Sequence, residues 1–107
     1  MRVVRIHQAA LIEAEETAAW YERKQPGLGA DFIRSLEAAL ELLKDDLVPD
    51  VPAHGQAAQR KVRRLILKRF PYDVVFVNLT DHLLVLAFVH HSRRPGFWKE
   101  RVVGISR

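Results

Sequence analysis

The feature that most constrains the fold of this sequence is an unbroken apolar run at residues 83–89. Its seven residues are too few to cross a bilayer as a helix, which takes roughly 18–20 apolar residues. A run of this length is instead typical of a strand whose two faces are both covered. We therefore expect it in the interior of a sheet, beside the strand formed by the start of the chain.

The remaining elements follow from hydrophobic periodicity. Residues 2–6 and 72–79 alternate apolar with other side chains, as strands do, whereas residues 8–24 and 30–46 repeat their apolar residues at helical spacing. Pro26, Gly27 and Gly29 separate the two helices, and so short a connection predicts an antiparallel hairpin. The predicted fold is α+β, in the order β-α-α-β-β-β, with an antiparallel-dominated sheet packed against this N-terminal helical hairpin. The four predicted strands are residues 1–6, 60–68, 72–79 and 83–90.

The predicted helices face the sheet through their apolar stripes, and the strands contribute their inward residues to one core. Residues 48–59 predict a long loop, and no repeat or linker indicates a second domain, so we expect a single domain over residues 1–107. The expected core contributors are Leu11, Ala18, Phe32, Leu36, Leu43, Val74, Phe76, Leu84, Leu86 and Phe88.

Charge is divided unevenly along the chain. Residues 1–59 hold 6 Lys and Arg against 10 Asp and Glu, a net charge of −4, whereas residues 60–107 hold 11 against 3, a net charge of +8. This split suggests an acidic helical layer and a basic face that meets a polyanion or an acidic protein. An ordinary mixed, solvated surface is the alternative.

Several function classes are disfavoured by the residues present. The chain has no cysteine, which removes thiolate chemistry and disulfides, and its five histidines lack a metal-ligand spacing with the carboxylates. We expect no metal and no cofactor. The sequence has no phosphate-binding glycine loop and no signature of a serine hydrolase. The first ten residues lack the apolar stretch of a signal peptide, so we expect a cytoplasmic protein that does not enter a membrane.

The strongest candidate site follows the apolar run, because strand ends and the loops beyond them often carry function. Histidine can transfer protons near neutral pH, and guanidinium groups bind phosphate, so this cluster suits contact with a phosphodiester. The alternative is that one histidine packs inward with its ring hydrogen-bonded while the other is exposed. The cluster consists of His90, His91, Arg93, Arg94, Trp98, Lys99 and Arg101.

A second basic group spans residues 60–69, with Arg64, Lys68 and Arg69 among its members. Strand residues alternate between faces, so about half of this group could share one surface. A basic groove beside Tyr72 and Trp98 would suit RNA, whose bases stack on aromatic rings. The alternatives are an acidic segment of a partner, or packing of Trp98 in the core.

Four short motifs occur together along the chain. They are Trp20-Tyr21-Glu22, Pro26-Gly27-Leu28-Gly29 before Phe32, residues 64–68 before Phe70-Pro71-Tyr72, and His90-His91-Ser92-Arg93-Arg94-Pro95 with Trp98 and Arg101. In combination they resemble the RelE/ParE superfamily of toxins from bacterial type II toxin–antitoxin systems, which includes plasmid stabilization proteins. The resemblance covers nearly the whole chain and implies a cognate antitoxin as partner, with which a heterotetramer can form.

The resemblance implies growth inhibition by one of two routes. ParE-like members inhibit DNA gyrase, and RelE-like members are ribosome-dependent endoribonucleases that cut mRNA with basic residues and usually a C-terminal tyrosine. By position, Lys68, Arg69, Arg93 and Arg94 match the basic residues, but Trp98 stands at the tyrosine position. An indole N–H only donates, so an enzyme would need His90 or His91 as its acid or base.

We therefore expect a ParE-like toxin directed at gyrase, with a ribonuclease or a non-toxic relic or binding module as alternatives. The expected contact surface for the target or for nucleic acid comprises Arg64, Lys68, Arg69, Arg93, Arg94, Trp98, Lys99 and Arg101. For the ribonuclease, the candidate catalytic residues are Lys68, His90, His91, Arg93 and Arg94. The expected antitoxin is acidic, because it must complement a basic face.

Replacing both Arg93 and Arg94 by alanine is expected to abolish or greatly reduce growth inhibition. Removing exposed charges usually changes stability by only about 0.5 kcal/mol or less, so the variant should unfold at the wild-type temperature. Growth on induced expression and thermal unfolding of the purified proteins check the two halves of this prediction. A fully toxic double variant would move the active surface to the 60–69 segment.

Overall fold

The computed structural model describes residues 2–45, 62–92, 98 and 101, and the backbone of residues 51–52. Strand β1 (Val4–Ile6) leads into helices α1 (Gln8–Lys24) and α2 (Leu28–Lys44). Strands β2 (Val51–Pro52), β3 (Val62–Ile66), β4 (Tyr72–Asn78) and β5 (Leu83–His90) follow. No helix in these described ranges is long and apolar enough to cross a membrane.

The strands form a mixed sheet in the order β1-β5-β4-β3-β2. β1 runs parallel to β5, and the other three pairings are antiparallel. The α+β class, the predominance of antiparallel pairing and the position of β5 beside the N-terminal strand are confirmed. The prediction missed β2, which pairs with β3 from within the expected loop.

Strand β5 contains a bulge that changes which way its side chains point. Val75 pairs with Ala87 but the next residue, Phe76, pairs with Val85, so Leu86 has no partner on β4. One extra residue shifts the alternation of side chains by one position. Phe88 consequently packs on the helix side, although Leu86 and Ala87 both pack on the opposite face.

Two apolar clusters cover the two faces of the sheet. The larger cluster joins both helices to β3, β4 and β5 through residues such as Phe32, Leu36 and Val74. The second cluster contains Val62, Val75 and Trp98 and no helix residue among its described members. We call the surface that carries this second cluster the second face; both helices therefore lie on the other side.

The helical hairpin closes tightly because of its glycines and one glutamate. Gly27 has a φ of +89°, a left-handed conformation that favours glycine. The Glu22 carboxylate accepts hydrogen bonds from the amides of Gly27 and Gly29, at 2.9 and 3.0 Å. A Cβ atom on Gly29 would lie 2.5 Å from the Ala18 carbonyl oxygen. The helix start at Leu28, two residues before the predicted start, follows from this capping.

The expected core is largely confirmed, with one clear error. Phe32, Leu36, Leu43, Val74, Phe76, Leu86 and Phe88 are buried, and Ala18 and Leu84 are half-buried. Leu11, in contrast, is 48% exposed, and Ala10 is buried in its place. Periodicity alone could not decide which of these adjacent apolar residues faces the sheet, and it is Ala10 that packs in the helix-side cluster.

Leu43→Ala and Leu11→Ala form a matched pair, because both remove the same side chain from a helix. Leu43 is fully buried, so its truncation is expected to cost about 2–5 kcal/mol. Leu11 is half-exposed, and its truncation should change stability by no more than about 0.5 kcal/mol. Urea unfolding followed by circular dichroism measures both, and equal losses would contradict the assignment of the helix face.

Candidate functional site at one end of the sheet

The candidate site lies where the β3–β4 turn meets the end of β5. Tyr72 pairs with His90, and the His91 amide donates to the Pro71 carbonyl at 2.9 Å. These contacts bring the turn that carries Lys68 and Arg69 to the same end of the sheet as the two histidines. The β3–β4 turn and the two histidines thus lie together at one end of the fold.

An aromatic cluster holds the turn in place beneath the helices. The Phe70 ring lies 5.0 Å from Tyr21 of α1 and 5.3 Å from Phe32 of α2, measured between ring centroids. Phe32 also contacts Tyr72 at 5.3 Å. Edge-to-face aromatic contacts of this kind add to the stabilisation gained by burial. The Phe70-Pro71-Tyr72 motif therefore fixes the turn against the hairpin.

Asp73 is the centre of the polar cluster on the second face. It is 6% exposed, and no other charged residue is buried within the described ranges. One carboxylate oxygen lies 2.8 Å from His91 Nε2, and the other accepts a hydrogen bond from Arg64 Nη1 at 3.2 Å. A buried carboxylate needs such partners, because its desolvation is otherwise costly. Asp73 thus couples Arg64 to His91, and the three form the Asp73 cluster.

Sequence reasoning predicted Arg64 and His91 but missed Asp73. A signal was present, since Asp73 is a lone acidic residue at the start of an otherwise apolar strand in the basic half of the chain. Its side chain shares a face with Val75 and Val77 because strand residues alternate. The residue on β3 whose partner is Val75 is Arg64, which brings its guanidinium within reach of Asp73.

The Asp73 cluster can orient a histidine for proton transfer. An ionised carboxylate only accepts, so the hydrogen bond places the imidazole hydrogen on Nε2 and leaves Nδ1 for another partner. The His91 side chain is 44% exposed and can therefore meet a ligand. Within the described part of the chain, Arg64 Nε is buried without an acceptor.

His90 points to the opposite side of the sheet from His91. Its ring packs edge-on against Tyr72 at 5.0 Å, and its Nδ1 accepts from the Ser92 amide at 3.0 Å. The Ser92 hydroxyl lies 2.7 Å from the same nitrogen. Adjacent strand residues face opposite ways, so the two histidines belong to different surfaces. The alternative expectation was that one histidine packs inward with its ring hydrogen-bonded while the other is exposed. It is correct only in part, because both rings have hydrogen-bond partners.

The two turn cations are exposed and differ in their partners. Arg69 Nη2 donates to Asp31 of α2 at 3.0 Å, and its guanidinium lies 5.5 Å from the Phe70 ring centroid. The pKa of Asp31 is lowered, first by the hydrogen bond from Arg34 and also by Arg69. Lys68 is exposed at the turn. Arg69 is therefore attached to the helical layer, and Lys68 faces solvent.

Trp98 and Arg101 both make contacts within the protein. Trp98 is 4% exposed and packs on the second face, as the core-packing alternative expects. Arg101 binds the Glu13 carboxylate through both Nη atoms, at 3.0 and 2.8 Å, and donates to the Leu86 carbonyl at 2.7 Å. Leu86 is the bulged residue, so Arg101 binds the strand where the ladder is interrupted.

The prediction of one basic groove beside both Tyr72 and Trp98 is wrong. Tyr72 packs against the helix-side cluster, whereas Trp98 belongs to the second face, so the sheet separates them. Arg93, Arg94 and Lys99 lie outside the described residues. Within the described ranges, no group of three His, Asp or Glu side chains is placed to hold a metal ion.

A groove of about 690 Å³ lies on the helix side of the same end, between α1 and the ends of β4 and β5. Its lining includes Glu16 and Trp20 from α1 and Tyr72 and His90 from the strands. The pKa of Tyr21, which also lines the groove, is raised by burial and by the neighbouring Tyr72. The phenol is therefore neutral at physiological pH.

Comparison with known proteins does not add a family to these observations. No family model matches the chain, and a search of curated proteins gives no match.

Asp73→Ala is expected to destabilise the protein by about 1–3 kcal/mol, because Arg64 and His91 then lose their shared acceptor. Asp81→Ala is the matched control, since that carboxylate is 85% exposed and pairs with His82 in the β4–β5 turn. Urea unfolding at pH 7 gives both values. If Asp73→Ala loses no more stability than Asp81→Ala, the Asp73 cluster does not hold this end of the sheet together.

Proposed function

We propose that this chain is the toxin of a type II toxin–antitoxin pair, with RelE/ParE-like topology, and that it inhibits growth in a ParE-like manner through DNA gyrase. The resemblance of the sequence motifs supports the family, and a helical hairpin against one side of a sheet is the architecture that this resemblance implies. The proposed partner is an acidic antitoxin, bound in the cytoplasm, with which the toxin can form a heterotetramer.

One observation favours the gyrase route over catalysis. Trp98 stands at the position where the ribonuclease branch usually has its tyrosine, and it is 4% exposed within an apolar cluster. An indole at that position neither releases nor accepts a proton at neutral pH, and a buried ring does not reach a substrate. Trp98 thus packs in the protein interior and does not catalyse a reaction, and the toxin acts by binding its target through its surface.

The exposed cations at the end of the sheet are the proposed contact surface for the target. Lys68 is exposed at the β3–β4 turn, and Arg69 is 62% exposed despite its ion pair with Asp31. Arg93 and Arg94 follow the end of β5 by three and four residues in the sequence. A surface of one charge steers an oppositely charged partner and gives an association that weakens with salt.

The ribonuclease remains the second candidate, because of the Asp73 cluster. With Asp73 bonded to its Nε2, His91 could accept the proton of a ribose 2′-hydroxyl at Nδ1. The 2′-oxygen would then bond to phosphorus to form a 2′,3′-cyclic phosphate, and the displaced 5′-oxygen would take a proton from water. Arg64, which donates to the same carboxylate, would stabilise the phosphate charge. This route requires RNA on the second face, beside the exposed part of His91.

Tightly controlled expression without the antitoxin separates the candidates. We expect growth arrest with loss of plasmid supercoiling and intact mRNA. His91→Ala should retain this activity, as should His82→Ala, a matched histidine at the opposite end of β5. Plasmid topology on chloroquine gels and primer extension on abundant mRNAs are the measurements.

Each alternative has its own outcome in that experiment. Ribosome-dependent mRNA cuts that His91→Ala abolishes and His82→Ala preserves would replace the gyrase proposal with the ribonuclease. Normal growth on expression of the soluble, folded wild type would instead identify a non-toxic relic or a binding module.

A further inference from the structure

The charged side chains that line the helix-side groove are acidic, in contrast to the basic half of the chain. Glu13 and Glu16, which lie one helical turn apart on α1, contribute carboxylates to its lining. No Lys or Arg is among the described residues that line it. Arg101 binds Glu13 through both of its Nη atoms, whereas Glu16 is exposed. Glu16 is thus the carboxylate in this lining that is available to a ligand.

Aromatic rings form much of the rest of the groove. Trp20 is 47% exposed and contacts Tyr21 edge-on at 5.1 Å between ring centroids. Lys24 already places its ammonium 5.0 Å from the centroid of the Trp20 ring, which demonstrates that a cation can approach this indole. The ring faces of Trp and neutral Tyr attract cations through their quadrupoles. The aromatic rings and the Glu16 carboxylate therefore both favour a cationic ligand.

The spacing of residues along α1 suggests what kind of segment carries such a cationic side chain. Ile12, Glu16 and Trp20 recur every fourth residue, which aligns them on one helix face. Ile12 and Trp20 are about equally exposed, at 48% and 47%, so an acidic position lies between two apolar ones. The complementary ligand is a segment with a basic residue between apolar residues.

We propose that the groove binds an arginine or lysine side chain on an apolar segment of a protein partner. A strand of nucleic acid is disfavoured here, because its phosphates would meet Glu16, and an acidic segment is disfavoured for the same reason. The groove volume of about 690 Å³ exceeds that of one side chain, so the flanking apolar residues also contribute contacts. The proposal does not depend on which cellular target the protein has.

Titration of the ¹⁵N-labelled full chain by NMR tests the proposal. The probe is the peptide acetyl-Leu-Arg-Leu-amide, and its control is the same peptide with citrulline, which keeps the shape of arginine but lacks the charge. We expect saturable shifts of the Trp20 indole N–H and of the amides of Thr17 and Ser92, which also line the groove. Binding of the arginine peptide should be roughly fivefold tighter or more.

Two substitutions assign the effect to the groove. Glu16→Gln should bring the affinity of the arginine peptide close to that of the citrulline peptide. Glu37→Gln is the matched control, since Glu37 is an exposed glutamate on α2 that does not line the groove. It should leave both affinities unchanged, and the dispersion of the NMR spectrum reports whether each variant is folded.

Three results would overturn the proposal. Equal affinity for the arginine and citrulline peptides would mean that the groove recognises apolar surface alone. A lack of saturable shifts at millimolar peptide would mean that it does not bind such a segment. Saturable shifts of the Trp20 indole with hexauridylate, and none with the arginine peptide, would assign the groove to nucleic acid.

Discussion

Burial of β5 on both faces is the constraint on which the rest of the structure depends. Because β1 and β4 flank this strand, both of its hydrogen-bonding edges are used along residues 83–85. Its apolar side chains still need cover above and below the sheet. The helical hairpin provides that cover on one side, and Trp98 contributes to it on the other. The need to cover both faces of this one strand thus accounts for the packing on both sides of the sheet.

The bulge at Leu86 decides how the functional end of β5 is oriented. In a strictly alternating strand, His90 would share a face with Leu84 and Leu86. The extra residue reverses this, so that His90 faces the groove beside Tyr72 and His91 faces Asp73. The interrupted ladder also leaves the Leu86 carbonyl to Arg101, whose ion pair with Glu13 fastens that residue to α1. A single irregularity therefore sets the histidine surfaces and anchors Arg101.

The sequence predicts those parts of the fold that depend on local patterns. Helix α1 and strand β5 have the predicted bounds, because Pro26 stands just after the helix and polar residues flank the unbroken apolar run of the strand. Leu11 was assigned wrongly because its neighbour Ala10 is also apolar, and it is Ala10 that packs in the core. The bulge could not be predicted, since a continuous apolar strand has no alternation in which a shift would be visible. The role of Asp73 depends on register, which local patterns do not reveal.

The charge division of the sequence is partly cancelled inside the fold. Arg69 of the basic half pairs with Asp31 of the acidic half, and Arg101 pairs with Glu13. These ion pairs hold the β3–β4 turn and Arg101 against the helices. Part of the charge difference between the two halves of the chain therefore joins the helical layer to the sheet. Lys68, at the β3–β4 turn, and Glu16, in the groove beside it, both remain exposed at this end of the sheet. The proposed contact surface for the target and the proposed site for a basic segment therefore consist of different residues, so the two proposed partners need not compete for them.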